Sequence, residues 1–473
     1  MREQLDRFFG LSAHHTTLRT ELVAGLTTFI TMAYIIFVNP AILSLTGMDR
    51  GAVFTATILS TVIATLIMGL YANVPFAQAP GMGMNAFFTF TVVLTMGLSW
   101  QQALAIVFLC GVVNFIIVVT NIRKMLIEAI PESLQHAIGG GIGLFIAYLG
   151  IKNAHLLDFT ADGAQIVRAT LADDKVQQVV ARDVVPALAR FTDPVTLLAV
   201  AGLLLTITML LLRWRAAILL GIIATTLIGL ATGLVHGPAF TAADFLPPSL
   251  APTLFHLDFA GLFSQPDKLL AILALILAFS LSDTFDTIGT FIGTGRRAGI
   301  FDRRDSDRLA AGKGISSKLD RALFSDGIAT SIGALLGTSN VTSYVESAAG
   351  ISAGGRTGLT SVFTAACFLL ALFFAPLALI IPASATAAAL IVVGILMISS
   401  IREVDWSTPD EAVPAFFTVV LMPFTCSIAN GVAAGFIFYV LTQIVRGEAK
   451  KVHPLMYIVT TLFLLNFVVT AIQ

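Results

Sequence analysis

The long, continuous apolar runs of this 473-residue chain constrain its fold more than any other feature. Runs such as Ala216–Leu234, Leu269–Leu281 and Thr386–Ser399 carry no charged residue and do not alternate between polar and apolar positions. Strands of a membrane β-barrel would alternate, whereas a membrane-spanning helix needs about 20 mainly apolar residues. Charged residues make up only 12% of the chain, against roughly 25% in soluble proteins. The sequence therefore predicts an all-α polytopic membrane protein.

The apolar runs divide into 14 predicted transmembrane segments, seven in each half of the chain. They lie near residues 20–43, 52–71, 81–97, 101–120, 132–151, 194–212, 216–236, 268–293, 321–338, 346–356, 357–375, 383–401, 411–425 and 427–446. An odd number of segments gives the two halves opposite orientations, which predicts a 7+7 inverted repeat. A last apolar stretch, Leu455–Ile472, fits either a further span or an interfacial helix.

Basic residues set the orientation. Most of the 27 lysines and arginines fall on one side of this predicted topology, which places the N-terminus in the cytoplasm of a multi-pass cell-membrane protein. The first 20 residues show no cleavage pattern, so we expect no cleavable signal peptide. The net charge of −1 gives no reason to expect a nucleic-acid partner. The three cysteines lie in apolar segments and suggest neither disulfides nor a metal site.

Two segments interrupt the apolar pattern at matching places in the two halves. Gln78–Phe87 and Gly337–Gly350 each begin like a strand and end like a helix, in predicted segments three and ten. Such breaks are the best sequence indication of a transporter's binding site. Extended backbone at membrane depth must be buried in protein or line a cavity, because lipid cannot satisfy its polar groups. We therefore expect short strands before two half-helices that meet near the membrane midplane.

Polar residues in these breaks are candidates for ligand binding. Asn85 fits either a helix cap or a ligand contact, and Glu346 fits either a capping acid or a ligand or proton site. Asp283 and Asp286 lie three residues apart on one helix face, where two carboxylates repel and protonation of one relieves the cost. Asp283, Asp286 and Glu346 are therefore the candidate proton-coupling residues, with the proton as the only predicted coupling ion and no other cofactor.

Three motifs together resemble the AzgA-like branch of the nucleobase–cation symporter-2 superfamily, which contains adenine and hypoxanthine/guanine permeases. They are Gln78–Phe87, Ser282–Thr290 and Thr338–Gly350, and the resemblance extends over nearly the whole chain. It implies proton symport of purine nucleobases, an elevator-like movement and a homodimer. It also implies a core domain (residues 1–120 and 265–375) and a gate domain (residues 121–240 and 376–473).

By motif position, the family's ligand contacts fall on Asn85, on Asp286 to Thr290 and on Glu346. Uracil and xanthine relatives have glutamate where Asp286 stands and histidine or aspartate where Thr290 stands, so their coupling scheme does not transfer directly. A planar purine is expected to stack on aromatic side chains beside these polar groups. The remaining predicted contacts are Ala86, Phe87, Phe285, Tyr344 and Val345.

Other functions stay open at this stage. A uracil or xanthine permease uses the same fold, as does an anion carrier, although neither break carries a positive residue. An intramembrane enzyme would need a nucleophile–base or metal cluster, and the three motifs contain no His or Cys. A continuous channel is disfavoured because the Gly/Pro breaks suit an occluded site.

Overall fold

The computed structural model describes residues 2–120, 131–161, 167–170, 176–180, 184–235, 246–264, 268–291, 295, 299–301, 317–425 and 427–472. A few side chains inside these ranges, including those of Phe285 and Asp286, lie outside the described set. Helices dominate the chain, so the prediction of a mostly helical membrane protein is confirmed. Helical stretches long and apolar enough to span a membrane in the described residues are Leu18–Thr46, Arg50–Ala72, Trp100–Val119, Glu132–Asn153, Pro194–Leu211 and Ala383–Glu403.

The helices follow the predicted segments in order. In the first half they are α1 (Arg2–Phe9), α2 (Leu18–Met32), α3 (Ile35–Leu43), α4 (Arg50–Ile67), α5 (Met82–Ala86), α6 (Trp100–Val119), α7 (Glu132–Asn153), α8 (Pro194–Leu211) and α9 (Ala217–Ala231). In the second half they are α10 (Phe259–Phe263), α11 (Leu269–Thr290), α12 (Lys318–Leu336), α13 (Ser347–Ser352), α14 (Gly358–Ala371), α15 (Ala375–Ile380), α16 (Ala383–Met397), α17 (Pro409–Phe424), α18 (Ile428–Val445) and α19 (Pro454–Ile472). A π-helix, Phe87–Thr95, continues α5.

The first predicted segment is not one continuous helix. It divides into α2 and α3 at Ala33 and Tyr34. Just before the break, the Thr31 hydroxyl donates to the carbonyls of Thr27 and Thr28. Such bonds bend helices because they compete with the backbone ladder. The interruption brings Tyr34 to the centre of the protein, where it is buried.

Two short strands cross between the halves of the chain. Strand β1 (Gln78–Pro80) precedes α5, and strand β6 (Val341–Ser343) precedes α13. They pair antiparallel, with Ala79 opposite Thr342. Beyond each end of the pair, Gly81 N–H donates to Asn340 O and Tyr344 N–H donates to Ala77 O, both at 2.9 Å. The two breaks therefore satisfy each other's backbone groups, as membrane burial requires.

The polar loop between α7 and α8, for which the sequence suggested no regular structure, holds four more strands. They are β2 (Leu157–Ala161), β3 (Val167–Thr170), β4 (Val176–Val180) and β5 (Val184–Leu188). Strand β2 pairs antiparallel with β5, and β3 pairs antiparallel with β4.

The membrane helices pack as two groups. In the first helix group, α12 packs on α6 and α4, α14 packs on α2 and α4, and both strands lie inside. In the second helix group, α16 packs on α7, α8 and α9, and α17 packs on α7 and α18. Contacts between the groups are fewer and run through α5 and α11 against α7, through α11 against α18 and α19, through α3 against α16 and through α2 against α9. The strand crossing therefore belongs to the first group and faces the second.

Candidate functional site

The strand crossing holds the predicted breaks together. Each strand leads directly into a half-helix, so α5 and α13 both begin at the crossing. The Tyr344 hydroxyl donates to Pro80 O at 2.6 Å, and the Ala77 N–H donates to Ser347 Oγ at 3.0 Å. These bonds between the two halves fix the half-helix starts relative to each other. The side chains of Asn85 and Glu346 follow the two strands on these half-helix starts.

Glu346 is half-buried at the start of α13. Its Oε1 accepts a hydrogen bond of 2.5 Å from the Tyr34 hydroxyl, at the break between α2 and α3. The Thr31 hydroxyl lies 3.4 Å from the backbone oxygen of Glu346. The first membrane segment therefore orients this carboxylate, a role that the sequence analysis did not assign to Tyr34. Glu346 is partly accessible, so it has the chemistry to accept an N–H from a ligand.

Asn85 belongs to a fully buried amide cluster. Its Nδ2 donates to Asn39 Oδ1 at 3.1 Å, and Asn39 in turn donates to the hydroxyls of Thr57 and Thr338. The sequence suggested only a kink or helix end at Asn39 and Pro40. Instead Asn39 lies inside α3 and positions Asn85. Two amides on different segments were not recognisable as partners from their spacing.

Several buried acceptors near the crossing have no partner among the residues that the structure describes. They are Gln78 Oε1, Asn85 Oδ1, Thr290 Oγ1, Ser339 Oγ and Asn340 Oδ1. Native proteins pair nearly all buried polar atoms, so such a concentration calls for an explanation, for which bound ligand or water is the usual one. Asn85 and Thr290 are both among the residues predicted to bind substrate.

The other predicted contacts differ in accessibility. Ala86, Phe87 and Tyr344 are buried, and Phe87 stacks on Phe279 with ring centroids 4.3 Å apart. Val345, in contrast, is 56% exposed. The side chains of Phe285 and Asp286 lie outside the described residues, although both positions fall within α11. The stacking predicted for Phe87 thus already has a protein partner in this structure.

Asp283 is fully buried between α6, α11 and α12. Its Oδ2 accepts from Asn114 Nδ2 at 2.8 Å and from the Thr330 hydroxyl at 3.0 Å. Asn114 also accepts from the Ser280 hydroxyl. Both described donors to Asp283 are neutral, and burial of an ionisable group in a membrane segment is costly. This placement fits a site that takes up and releases a proton.

Asp326, which the sequence analysis missed, is the second buried carboxylate of this region. It lies on α12, 4% exposed, and accepts from Gln78 Nε2 at 2.9 Å and from the hydroxyls of Ser343 and Thr287, both at 2.8 Å. It therefore joins β1, β6 and α11. A signal was present in the sequence, because an ionisable residue inside a predicted membrane segment is a functional candidate by default.

The arrangement combines a half-accessible carboxylate, buried amide and hydroxyl acceptors and two deeper carboxylates. Such a set suits a small ligand that offers both donors and acceptors, with ionisable groups nearby. Among the residues that the structure describes, no group of three His, Cys, Asp or Glu side chains could hold a metal ion.

Comparison with known proteins identifies the family. A family described as "Permease family" (Xan_ur_permease) matches residues 19–434. The adenine permease AdeP of Escherichia coli is 40% identical over 98% of this chain and 96% of its own length. The guanine/hypoxanthine permease PbuG of Bacillus subtilis is 39% identical over 98% and 99%.

A solved structure shows a similar fold. The transmembrane domain of the cyanobacterial bicarbonate transporter BicA superposes with a TM-score of 0.58, covering 88% of this chain and 97% of that domain at 18% identity. At this identity the likeness concerns the fold alone. The sequence matches decide the family: this chain belongs to the permease family, in the purine permease branch of the nucleobase–cation symporter-2 superfamily.

Proposed function

We propose that the chain is a secondary active transporter that carries purine nucleobases into the cell together with protons. One observation carries the proposal: Glu346 stands partly accessible at a strand crossing that also holds unpartnered acceptors on Asn85 and Thr290. Relatives that match nearly the whole chain are named adenine and guanine/hypoxanthine permeases. A purine offers ring N–H donors and ring acceptors on one flat frame, which matches this mixture of groups.

The carboxylate of Glu346 would accept one or two purine N–H groups. Such charge-assisted bonds are the strongest available at a polar site. The orphaned Asn85 Oδ1 and Thr290 Oγ1 are acceptors for an exocyclic amine, and the Thr290 hydroxyl is also a donor for a ring nitrogen or oxo group. Asp286, Phe285, Val345, Tyr344, Phe87 and Ala86 complete the proposed site.

The transport cycle would move the first helix group against the second. The strand crossing lies within the first group and faces the second across fewer contacts, which supports an elevator movement of a core domain along a gate domain. We propose that these groups are the two halves of a 7+7 inverted repeat of 14 segments, with a cytoplasmic N-terminus and a homodimeric assembly. Opposite orientations of the halves would give the outward and inward states equivalent geometry.

Proton coupling would supply the driving force. The candidate coupling groups are Asp283, Asp286 and Glu346. One proton per cycle at −100 mV contributes about 2.3 kcal/mol. That energy supports roughly fifty-fold accumulation before any pH gradient acts, at about 1.4 kcal/mol per tenfold.

An anion carrier on the same fold is the main alternative, since BicA shares the architecture. Glu346 opposes it, because a carboxylate at the site repels an anion, and no basic residue lies in either break. A uracil or xanthine permease remains a possible outcome of the substrate test.

Uptake into proteoliposomes tests the proposal. Radiolabelled adenine, guanine, hypoxanthine, xanthine, uracil and bicarbonate are supplied with and without an inward proton gradient. We expect gradient-stimulated uptake of at least one purine, abolished by an uncoupler and competed by other purines. Uptake of bicarbonate alone, or of no nucleobase under a verified gradient, would refute the proposal.

A further inference from the structure

Asp326 has a hydrogen-bond environment suited to both of its protonation states. When it is ionised, it accepts from Gln78, Ser343 and Thr287. Thr287 and Thr342 hydroxyls lie 2.9 Å apart, and either can be the donor. In the ionised state Thr287 donates to Asp326 Oδ2 and accepts from Thr342. The ionised carboxylate is thus held by three neutral donors, with a fourth hydrogen bond behind them.

Protonation can reverse this chain without losing a bond. A proton taken from water onto Asp326 Oδ2 turns that oxygen into a donor to Thr287 Oγ1. The Thr287 hydroxyl then turns to donate to Thr342, while Gln78 and Ser343 still donate to Asp326 Oδ1. The four hydrogen bonds of the ionised state become four in the neutral state. Few buried carboxyl groups can change charge on such equal terms, since lost bonds at buried polar atoms are costly.

The surroundings of Asp326 repeat in reverse at Asp283. On α11, Asp283 is followed four residues later by Thr287, and on α12, Asp326 is followed four residues later by Thr330. Each aspartate accepts from the threonine of the other helix. Both threonines also bond strand β6, Thr287 through the Thr342 hydroxyl and Thr330 through the Val341 carbonyl. The two carboxylates therefore lie on successive rungs beneath the same strand.

The titratable groups around this ladder come from each neighbouring element. Cys110 on α6 lies within electrostatic reach of Asp283 and Asp326. Glu346 follows β6 by three residues, and the side chain of Asp286 on α11 lies outside the described residues. Strand β1 and helix α4 face Asp326 with the neutral side chains of Gln78 and Thr65.

We propose that Asp326 holds the transported proton, and that its charge state is communicated to the substrate site through the two strands it joins. The inference rests on the proposed proton symport and adds a coupling residue to it. Asp326 bonds Gln78 on β1 and Ser343 on β6, and each strand leads into a half-helix of the site. A change of its charge therefore alters the bonds that hold the strand crossing, without Asp326 touching the purine.

Asparagine at position 326 reproduces the neutral state. Its Oδ1 can accept from Gln78 and Ser343, while its Nδ2 donates to Thr287, which donates to Thr342. We therefore expect Asp326→Asn to fold and to bind purine. Locked in the proton-loaded form, it should exchange labelled for unlabelled purine at the wild-type rate. Proton-gradient-stimulated accumulation should fall to the level seen without a gradient.

Proteoliposomes allow both activities to be measured on the same preparation. Equilibrium exchange and gradient-driven accumulation of one purine are compared for the wild type, Asp326→Asn and Asp320→Asn. The last is a matched control, because Asp320 lies on the same helix and serves its N-terminal cap with Ser317. It should retain gradient-driven accumulation relative to exchange.

Thr287 provides a second test that keeps the carboxylate. Thr287→Val removes the hydroxyl that changes roles, so accumulation relative to exchange should fall by about tenfold, the effect of one lost hydrogen bond. Thr287→Ser should restore it. This pair decides the question if Asp326→Asn does not fold.

Each remaining outcome has a definite meaning. Gradient-driven accumulation by Asp326→Asn would overturn the inference while leaving purine symport intact. Loss of exchange together with accumulation, in a variant that still binds purine and melts like the wild type, would also overturn it, because Asp326 would then serve movement rather than coupling. Failure of the wild type to take up any purine would refute the proposed function and the inference with it.

Discussion

Replacing Tyr34 with phenylalanine tests whether Glu346 is preorganised for substrate. The substitution removes the hydroxyl that donates to Glu346 Oε1 at 2.5 Å and leaves the ring, which is 1% exposed, in its packing. With the bond present, Glu346 is fixed before substrate arrives and keeps Oε2 for an incoming N–H. Without it, the side chain is free to rotate in the empty transporter.

The expected magnitude follows from side-chain entropy. Fixing a freely rotating glutamate costs about 1.5 to 2 kcal/mol. In Tyr34→Phe that cost is met when the purine binds, which corresponds to a rise in KM of roughly 10- to 30-fold. The maximal rate should stay close to that of the wild type, because the hydroxyl is not expected to limit the movement of the helix groups.

Initial rates of purine uptake over a range of concentrations measure this effect. Tyr71→Phe is the matched control, since Tyr71 is 42% exposed and its ring contacts Phe324 away from the site. It should leave KM unchanged. A KM within about twofold of wild type for Tyr34→Phe, below half a kcal/mol, would refute the reasoning. So would a loss of maximal rate at unchanged KM.

Three further predictions concern the surroundings of the site. Glu21, fully buried, accepts from backbone N–H groups at the start of α14, so Glu21→Leu should lower the melting temperature in detergent more than Glu21→Gln does, at about 1 to 3 kcal/mol per orphaned donor; equal melting would contradict this. Asn39→Ala frees Asn85 and should weaken purine binding, measured by titration calorimetry, by about tenfold, whereas unchanged affinity would exclude a positioning role. A Cβ at Gly83 would lie 2.5 Å from Ile142 Cγ2 across the two helix groups, so Gly83→Ala should slow purine exchange and added Ile142→Ala should restore it; no rescue would contradict a steric cause.

The residue types of the site were predictable because membrane burial makes polar groups conspicuous. Glu346 and Asn85 stand out in Gly-rich breaks between apolar runs, and the breaks themselves show where helices cannot continue. The purine permease branch was predictable from three short motifs, and the sequence matches confirm it. These predictions depend only on local sequence, which is why they succeeded.

What escaped prediction depends on contacts between distant segments. Asp326 is 248 residues from Gln78 along the chain, and no local pattern marks them as partners. Tyr34 is likewise 312 residues from Glu346 and reaches it because the first segment is broken. Phe87 was expected to stack on the ligand, but it stacks on Phe279, a choice that an aromatic residue in a sequence does not reveal.

The structure of the transporter with a bound purine tests the central claim most directly. A cryo-EM map at saturating adenine, guanine or hypoxanthine should show a flat ligand at the crossing of β1 and β6. The account predicts ligand density within hydrogen-bond distance of the Glu346 carboxylate and of Asn85 or Thr290. Purine density elsewhere in the protein, with these side chains unchanged, would contradict the account.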